Sequence, residues 1–416
     1  VGIRQGNSWA WLALVLAGVV LRLIWPADME WKGDEIRMHA AAVGLARGDP
    51  LPWTGMQSGV GIPNPGLSTW LFGAAAAVVG DDPLGLVRVV QWCNVAALLG
   101  FVLLALRRVP QKQRQTWLWG LALWAVSPLP VLFSRKIWAQ DLLPLFSLGV
   151  VAFHGLRQRP WGGALWGLLA AVLGQVHMSG FFHGAGLLAA TALHDGRRAT
   201  LRWGRWFVLG AALGALPLIP WLTSLDPGLL RGAVVGDRLQ NMLSLSFFLY
   251  WLLDALGLNL AYTMWGEFLD FLRGPVVLGR QTHLLALAHG YLLLVGIWSV
   301  RRLASDAVAA ARALRAGTLA AGQQPLDLLL WAMLLGPGLL LTLSGALIFP
   351  HYLIVTYPLI HLWLARTLRR DRGLLRGAAL AQLFISACFL WTVHTGGGVP
   401  TGDYGRSYRS LLSSGG

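Results

Sequence analysis

Charge is what this sequence has least of. Only 12% of its 416 residues are Asp, Glu, Lys or Arg, against 56% hydrophobic ones. A soluble domain carries about twice that share of charge, so the scarcity excludes an ordinary globular protein and points to a polytopic membrane protein. Cysteine is nearly missing too. Cys93 and Cys388 each lie inside an apolar run, where they fit small buried apolar residues better than a disulfide. The basic surplus, a net charge of +15, does not indicate nucleic acid, because the cations fall in short clusters between apolar runs and form no continuous face. No internal repeat of the kind that marks many secondary transporters is visible. No small-residue cleavage site follows the first apolar run, which is therefore expected to be an uncleaved anchor.

Long apolar runs and 22 Trp residues are what the chain does have, and Trp favours the headgroup level of a bilayer. At about 20 apolar residues per span, transmembrane helices are expected near 8–25, 84–106, 116–133, 142–156, 161–177, 180–194, 204–223, 282–300, 326–348, 352–367 and 377–395. The expected fold is thus an all-α bundle of about eleven transmembrane helices forming a single integral membrane domain over 1–416. The apolar run Leu67 to Val79 is short and bounded by Pro65-Gly66 and Gly80-Asp81-Asp82-Pro83. It is expected to be a juxtamembrane or re-entrant helix.

The distribution of charge supports that choice. With the N-terminus in the cytoplasm, the cytoplasmic loops hold Arg4, Arg107 to Arg114, Arg157, Arg159, Arg197 to Arg205, Arg301 to Arg315 and Arg366 to Arg376. These are most of the basic residues, as the positive-inside rule requires. Counting 67–79 as a span would invert every later loop. The extracytoplasmic side then receives a first loop, 26–83, and a second long segment, 225–281, with interrupted apolar stretches that suit interfacial helices. It also receives the C-terminal tail, 396–416. The loop 301–325 is expected to form a short amphipathic helix on the cytoplasmic leaflet.

The chemistry-bearing residues collect on the extracytoplasmic side. Gly33-Asp34-Glu35-Ile36-Arg37-Met38-His39 places two adjacent carboxylates where the first span leaves the membrane, a position costly to fill without a use. Ser134-Arg135-Lys136 and Asp141 follow the third span, His177 ends the fifth, and His351-Tyr352 follows the ninth. A carboxylate can accept a proton from an attacking hydroxyl, and cations can hold a phosphate leaving group. No serine or cysteine has an obvious activating partner. Plainer roles compete: Asp34 and Glu35 suit a helix N-terminus, Asp141 a helix cap, Arg135 and Lys136 snorkelling cations, and His177 a packed histidine. Glu35 and His39 have the i,i+4 spacing that could share a divalent metal, but two ligands do not make a site, and no HExxH motif or cysteine cluster accompanies them.

Taken together these landmarks resemble the GT-C glycosyltransferases, in particular the protein O-mannosyltransferase and lipid A aminoarabinose transferase group. Gly33-Asp34-Glu35-Ile36-Arg37 looks like that family's acidic pair in the first external loop. Asn64-Pro65-Gly66-Leu67 with Phe72-Gly73, then Asp82 and Leu86-Val87-Arg88-Val89, resembles its juxtamembrane helix and the opening of its second span. Arg135 with Asp141 and Pro144 resembles the second external loop, and His351-Tyr352-Leu353 with Tyr357-Pro358 its late Arg-Tyr-Leu…Pro motif. The chain departs from the family at His351, where Arg is frequent, and at Asn64, where a second proline is usual.

The resemblance implies an inverting transfer of a sugar, mannose being one candidate, from a polyprenyl-phosphate carrier. The acceptor would be a hydroxyl of a protein, lipid or glycan outside the cytoplasm, and the setting a bacterial inner membrane and cell envelope. By matching position it implies Asp34 as general base, with Glu35 and Asp141 orienting base or acceptor. Arg37, Arg135 and Lys136 would contact the donor phosphate, with His177, His351 and Tyr352 lining the donor site. The partners would be the lipid-linked donor, the acceptor and membrane lipids, with no nucleic acid. Two other classes compete with this reading. A transporter or lipid flippase would show two related halves and mid-membrane ionisable groups, and a non-catalytic subunit of a membrane complex would leave the acidic pair without purpose.

Overall fold

The computed structural model describes residues 9–58, 61–226, 238–315 and 325–414. Arg4 and the parts of the 225–281 segment and the 301–325 loop at 227–237 and 316–324 lie outside the described residues. Among the described residues the fold is all-α, with three two-stranded ribbons. By length and apolarity, four described helices suffice to cross a bilayer: Pro83–Arg108, Leu284–Ser305, Leu326–Leu343 and Arg372–Gly396. These are the helices of an integral membrane protein.

Other expected spans are single shorter helices or are assembled from shorter pieces. Helix α1 (Ala10–Leu23) has 14 residues, about 21 Å at 1.5 Å per residue. The expected span 116–133 is divided at Ser127-Pro128 into α5 (Gln111–Val126) and α6 (Pro128–Phe133), because proline cannot supply the N–H that would continue the ladder. Helix length alone therefore gives fewer complete spans than the eleven expected from hydropathy. Leu67–Val79 forms a 13-residue helix, α3, too short to cross, and packs between α2 (Gly33–Ala46) and α4 (Pro83–Arg108).

The continuous element α9 (Ser179–Gly214) contains a break at Gly196, whose φ of 73° is closed to most side chains. Both its arms lie on α8 (Pro160–Val176). In the first arm Gly180 meets Leu173 and Gly184 meets Ala170; in the second, Gly210 meets Ala164 and Gly214 meets Leu168. The contacts run down α8 in one arm and up it in the other, so the arms are antiparallel, as expected for 180–194 and 204–223. Lacking a driving force from water, helices in lipid gain from close backbone approach through small residues.

Charge sorts to the two ends of the bundle. At one end Arg157 pairs with Asp195 at 2.8 Å, Arg302 with Asp371 at 2.8 Å and Arg366 with Asp327 at 2.8 Å. The other end gathers the 26–83 loop, the 134–143 turn and the C-terminal segment 397–414. That last segment is not frayed. Glu30 bridges to Ser407, the Tyr408 N–H donates to the Met29 carbonyl at 3.0 Å, and the buried Asp28 accepts from Arg409 at 2.9 Å and from His394 at 2.6 Å.

The glycine contacts yield a paired test. A Cβ at Gly210 would collide with the Ala164 carbonyl, whereas one at Gly204 meets nothing within 4 Å. Gly210→Ala is expected to lower stability by about 2 kcal/mol through overpacking. Gly204→Ala should be neutral or stabilising by up to about 1 kcal/mol. Thermal unfolding midpoints in detergent compare them, and equal effects would refute the close α8–α9 contact.

Candidate active site

The chain leaves α1 at Ile24 and must turn at once, and a cation makes the turn. The Arg135 guanidinium, buried, donates to the carbonyls of Leu21 at 2.8 Å, Ile24 at 2.6 Å and Trp25 at 2.7 Å. The Leu21 and Ile24 carbonyls are acceptors that the end of a helix leaves unsatisfied, and the Trp25 carbonyl also accepts from the Asp28 N–H at 3.0 Å. Arg22 does similar work further inside, donating to Gly18 and to the Trp124 and Ala125 carbonyls of α5.

Beyond that turn the backbone runs extended through Glu30 and Lys32 before α2 begins at Gly33. Side chains two apart then share a face, so Glu30 and Lys32 enter the same space as the first turn of α2. There Lys136, 4% exposed, lies 2.7 Å from Glu30 Oε2 and 3.3 Å from Glu35 Oε1. Lys32 lies 2.7 Å from Glu30 Oε1 and 3.1 Å from Asp403 Oδ2, and also donates to the Asp403 carbonyl. The ammonium of Lys136 sits 4.2 Å from the centre of the Trp138 ring, a cation–π distance. Asp141 is buried nearby with both carboxylate oxygens lacking a hydrogen-bond partner, while its backbone carbonyl accepts from Asn94 at 2.8 Å.

A cavity of about 200 Å³ opens here, lined among others by Glu30, Lys32, Asp34, Glu35, Lys136 and His351, with Asp403 closing it from the C-terminal segment. Asp34 and Glu35 are adjacent but differ in setting: the Asp34 side chain is 40% exposed and paired with Arg37, and that of Glu35 is 1% exposed. Burial pushes the Glu35 carboxyl up to about 7; Lys136 pulls it down and Glu30 pushes it further up. For Lys136 burial works against the charge, but Glu30, Glu35 and Asp141 more than offset it and hold the ammonium above its ordinary value. His351 is held well below its ordinary value by burial and by the nearby His177 and Lys136, so its ring is neutral. It lies 4.8 Å from Trp138 and 4.7 Å from Tyr352, centre to centre.

The expected residues thus divide. Asp34, Glu35, Lys136 and His351 come together on the cavity; Tyr352 meets His351 edge to face, and His177 stands 5.8 Å from Tyr352 with Nδ1 bonded to Ser179 at 2.8 Å. Arg135 is spent on capping α1, and Arg37 lies on the exposed side of Asp34. Glu35 and His39 do not converge: Glu35 faces Lys136, while His39 Nε2 is 2.8 Å from the Asp81 carbonyl. Among the described residues no cluster of three or more His, Cys, Asp or Glu is placed to hold a metal. Sequence reading missed Glu30, Lys32 and Asp403. Glu30 and Lys32 precede the acidic motif at alternate positions, a signal that was available; for Asp403 the signal was its place at the head of an expected external stretch, to Arg409, whose aromatics favour packing back over the cavity.

Comparison with solved structures bears on the fold. ArnT from Cupriavidus metallidurans, in a structure bound to undecaprenyl phosphate, superposes with a TM-score of 0.51 at 14% identity, covering 93% of this chain and 65% of that one. The fold is of the GT-C type. An oligosaccharyltransferase from Archaeoglobus fulgidus gives a TM-score of 0.49 at 14% identity, over 94% of this chain and 56% of that one. The chain therefore spans 65% of the length of ArnT. No protein-family model matches the sequence, and no curated protein matches it.

The raised Glu35 carboxyl sets a pH dependence. An unfolded glutamate titrates near 4.5 and the folded one near 7, so the native state holds the extra proton between those values. Its contribution to stability is complete below about 4.5 and is lost as pH rises through about 7. Wild-type thermal midpoints should fall across that window, and Glu35→Gln should flatten the slope. An unchanged slope would mean that Glu35 is not the titrating group.

Proposed function

We propose that the chain is a membrane glycosyltransferase that moves a sugar from a polyprenyl-phosphate carrier to an acceptor hydroxyl at the Asp34–Lys136 cavity. The observation that carries this reading is an accessible carboxylate beside a buried, charge-compensated lysine, in a chain with the GT-C fold. Support for the donor class comes from the ArnT structure, which holds undecaprenyl phosphate.

In the proposed reaction the acceptor oxygen attacks the anomeric carbon from the face opposite the phosphate, which inverts the configuration. The acceptor O–C bond forms, the C–O bond to phosphate breaks, the acceptor proton passes to Asp34, and polyprenyl phosphate departs. Asp34 suits the base because it lines the cavity and its side chain, 40% exposed, is open to an incoming acceptor. Lys136, aided by Lys32, would meet the charge growing on the leaving phosphate. Glu35, Glu30 and Asp141 would hold Lys136 and add negative potential where positive charge develops on the sugar ring. Neutral His351, with Tyr352 and His177 behind it, would form the donor wall. Arg135, as the cap of α1, would act only by shaping the turn.

The proposal includes a topology: N-terminus in the cytoplasm, with the 26–83 loop, the 225–281 segment and the 396–416 tail on the extracytoplasmic face of a bacterial inner membrane. The acceptor would be a hydroxyl of a protein, lipid or glycan of the cell envelope.

Asp34→Asn, exposed and isosteric, should leave the protein folded and lower sugar transfer from polyprenyl-phosphate donors by roughly 10²- to 10⁴-fold, the scale of a lost general base. Radiolabelled transfer in isolated membranes measures it. Transfer at the wild-type rate would remove Asp34 from the mechanism, and no transfer with any lipid-phosphate sugar would overturn the enzyme reading.

A further inference from the structure

The opposite end of the bundle carries a second and larger cavity. About 460 Å³ in volume, it lies between α4, the start of α5, α7 (Leu143–His154) and the helix Pro325–Met333. It shares no lining residue with the Lys136 cavity. Its walls are largely apolar, with Leu104, Trp117, Val151 and Leu329 among them. Gln113 is common to this cavity and to a recess of about 410 Å³ that holds Lys112, Arg366 and Arg369. The larger volume falls within the roughly 300–1,000 Å³ of small-molecule sites.

The cations around it are not all spoken for. Arg157 is held by Asp195 and Arg366 by Asp327, each at 2.8 Å, and His194 also faces Asp195. Arg108, Lys112 and Arg369 make no ion pair among the described residues, which leaves positive charge unneutralised at the rim of an apolar space. Trp117, 2% exposed in the cavity wall, keeps its indole N–H buried with no acceptor.

Apolar walls, surplus cations and an unused donor together call for an amphiphile with an anionic head. Inorganic phosphate would make no use of the walls, and the ammonium of a zwitterionic lipid would meet like charge. Basic pockets between membrane helices suit anionic headgroups. We propose that this cavity binds an anionic glycerophospholipid, its phosphate among Arg108, Lys112 and Arg369 and an acyl chain along Leu104, Val151 and Leu329. The site lies at the end that the proposed topology puts in the cytoplasm, but the binding itself does not depend on transferase activity.

Delipidated full-length protein in detergent would be titrated with phosphatidylglycerol, with phosphatidylcholine of the same acyl chains and with inorganic phosphate, following the thermal midpoint. Phosphatidylglycerol alone should raise it, and Arg108→Gln/Arg369→Gln should require roughly tenfold more of that lipid or above. Equal shifts with the two lipids, a full shift with inorganic phosphate, or an unchanged dose response in the double variant would each overturn the site. Should the variant fold poorly, a photoactivatable phosphatidylglycerol tests the wild type. Labelling of peptides carrying Trp117 or Val151 is expected, and labelling confined to other helices would refute the assignment.

Discussion

The contact on which the site depends is the burial of the Lys136 ammonium between Glu30 and Glu35. Removing a lysine from water costs several kcal/mol, and only close, well-placed carboxylates return it. Neither acid is near Lys136 in sequence, so the pair fixes the first loop onto the turn before α7. Deleting Lys136 would take its paired cation from the buried Glu35 side chain and leave Glu30 with Lys32 alone, and deleting one carboxylate would leave the lysine half compensated. The geometry is therefore set by mutual need and not by side-chain packing alone. Lys32 extends it by joining Glu30 to Asp403, which draws the C-terminal segment over the same space.

That segment gives the cavity a wall the first loop could not supply. Tyr404 donates to the Asp28 carbonyl, and the Asp28 carboxylate takes both His394 and Arg409. His394 in turn stacks on Trp25 with ring centres 4.0 Å apart. These contacts surround the turn that Arg135 caps, so the exit of α1, the acidic motif and the chain's last described residues form one polar unit. In a protein so poor in charge, the acids and cations of that end are largely used on one another.

Hydropathy and the positive-inside rule made much of this legible. The short helix at 67–79, the antiparallel arms on either side of Gly196 and the grouping of basic loops at one end follow from run length, glycine and charge placement. Span lengths were less legible, because prolines such as Pro128 divide helices without lowering hydropathy. At the site the acidic pair stood out, since carboxylates beside a span are rare. The roles of the cations did not. Arg135 and Lys136 are adjacent, both cationic and both buried, and only the fold shows one turned to three carbonyls and the other to two carboxylates. The partner of Asp403 was hidden because its link to Lys32 spans nearly the whole chain.

The same division of labour separates Asp34 from Glu35. A general base must reach its substrate and must be ionised at working pH. Burial raises the Glu35 carboxyl, which would ordinarily mark it for catalysis, but its side chain is buried and one of its oxygens faces Lys136. With a side chain only 1% exposed, Glu35 gives an acceptor hydroxyl little access. Asp34 gives up no buried partner when it accepts a proton, since Arg37 beside it is exposed and returns readily to water. On the proposed mechanism the structural acid is thus the perturbed one, and the reactive acid is its exposed neighbour.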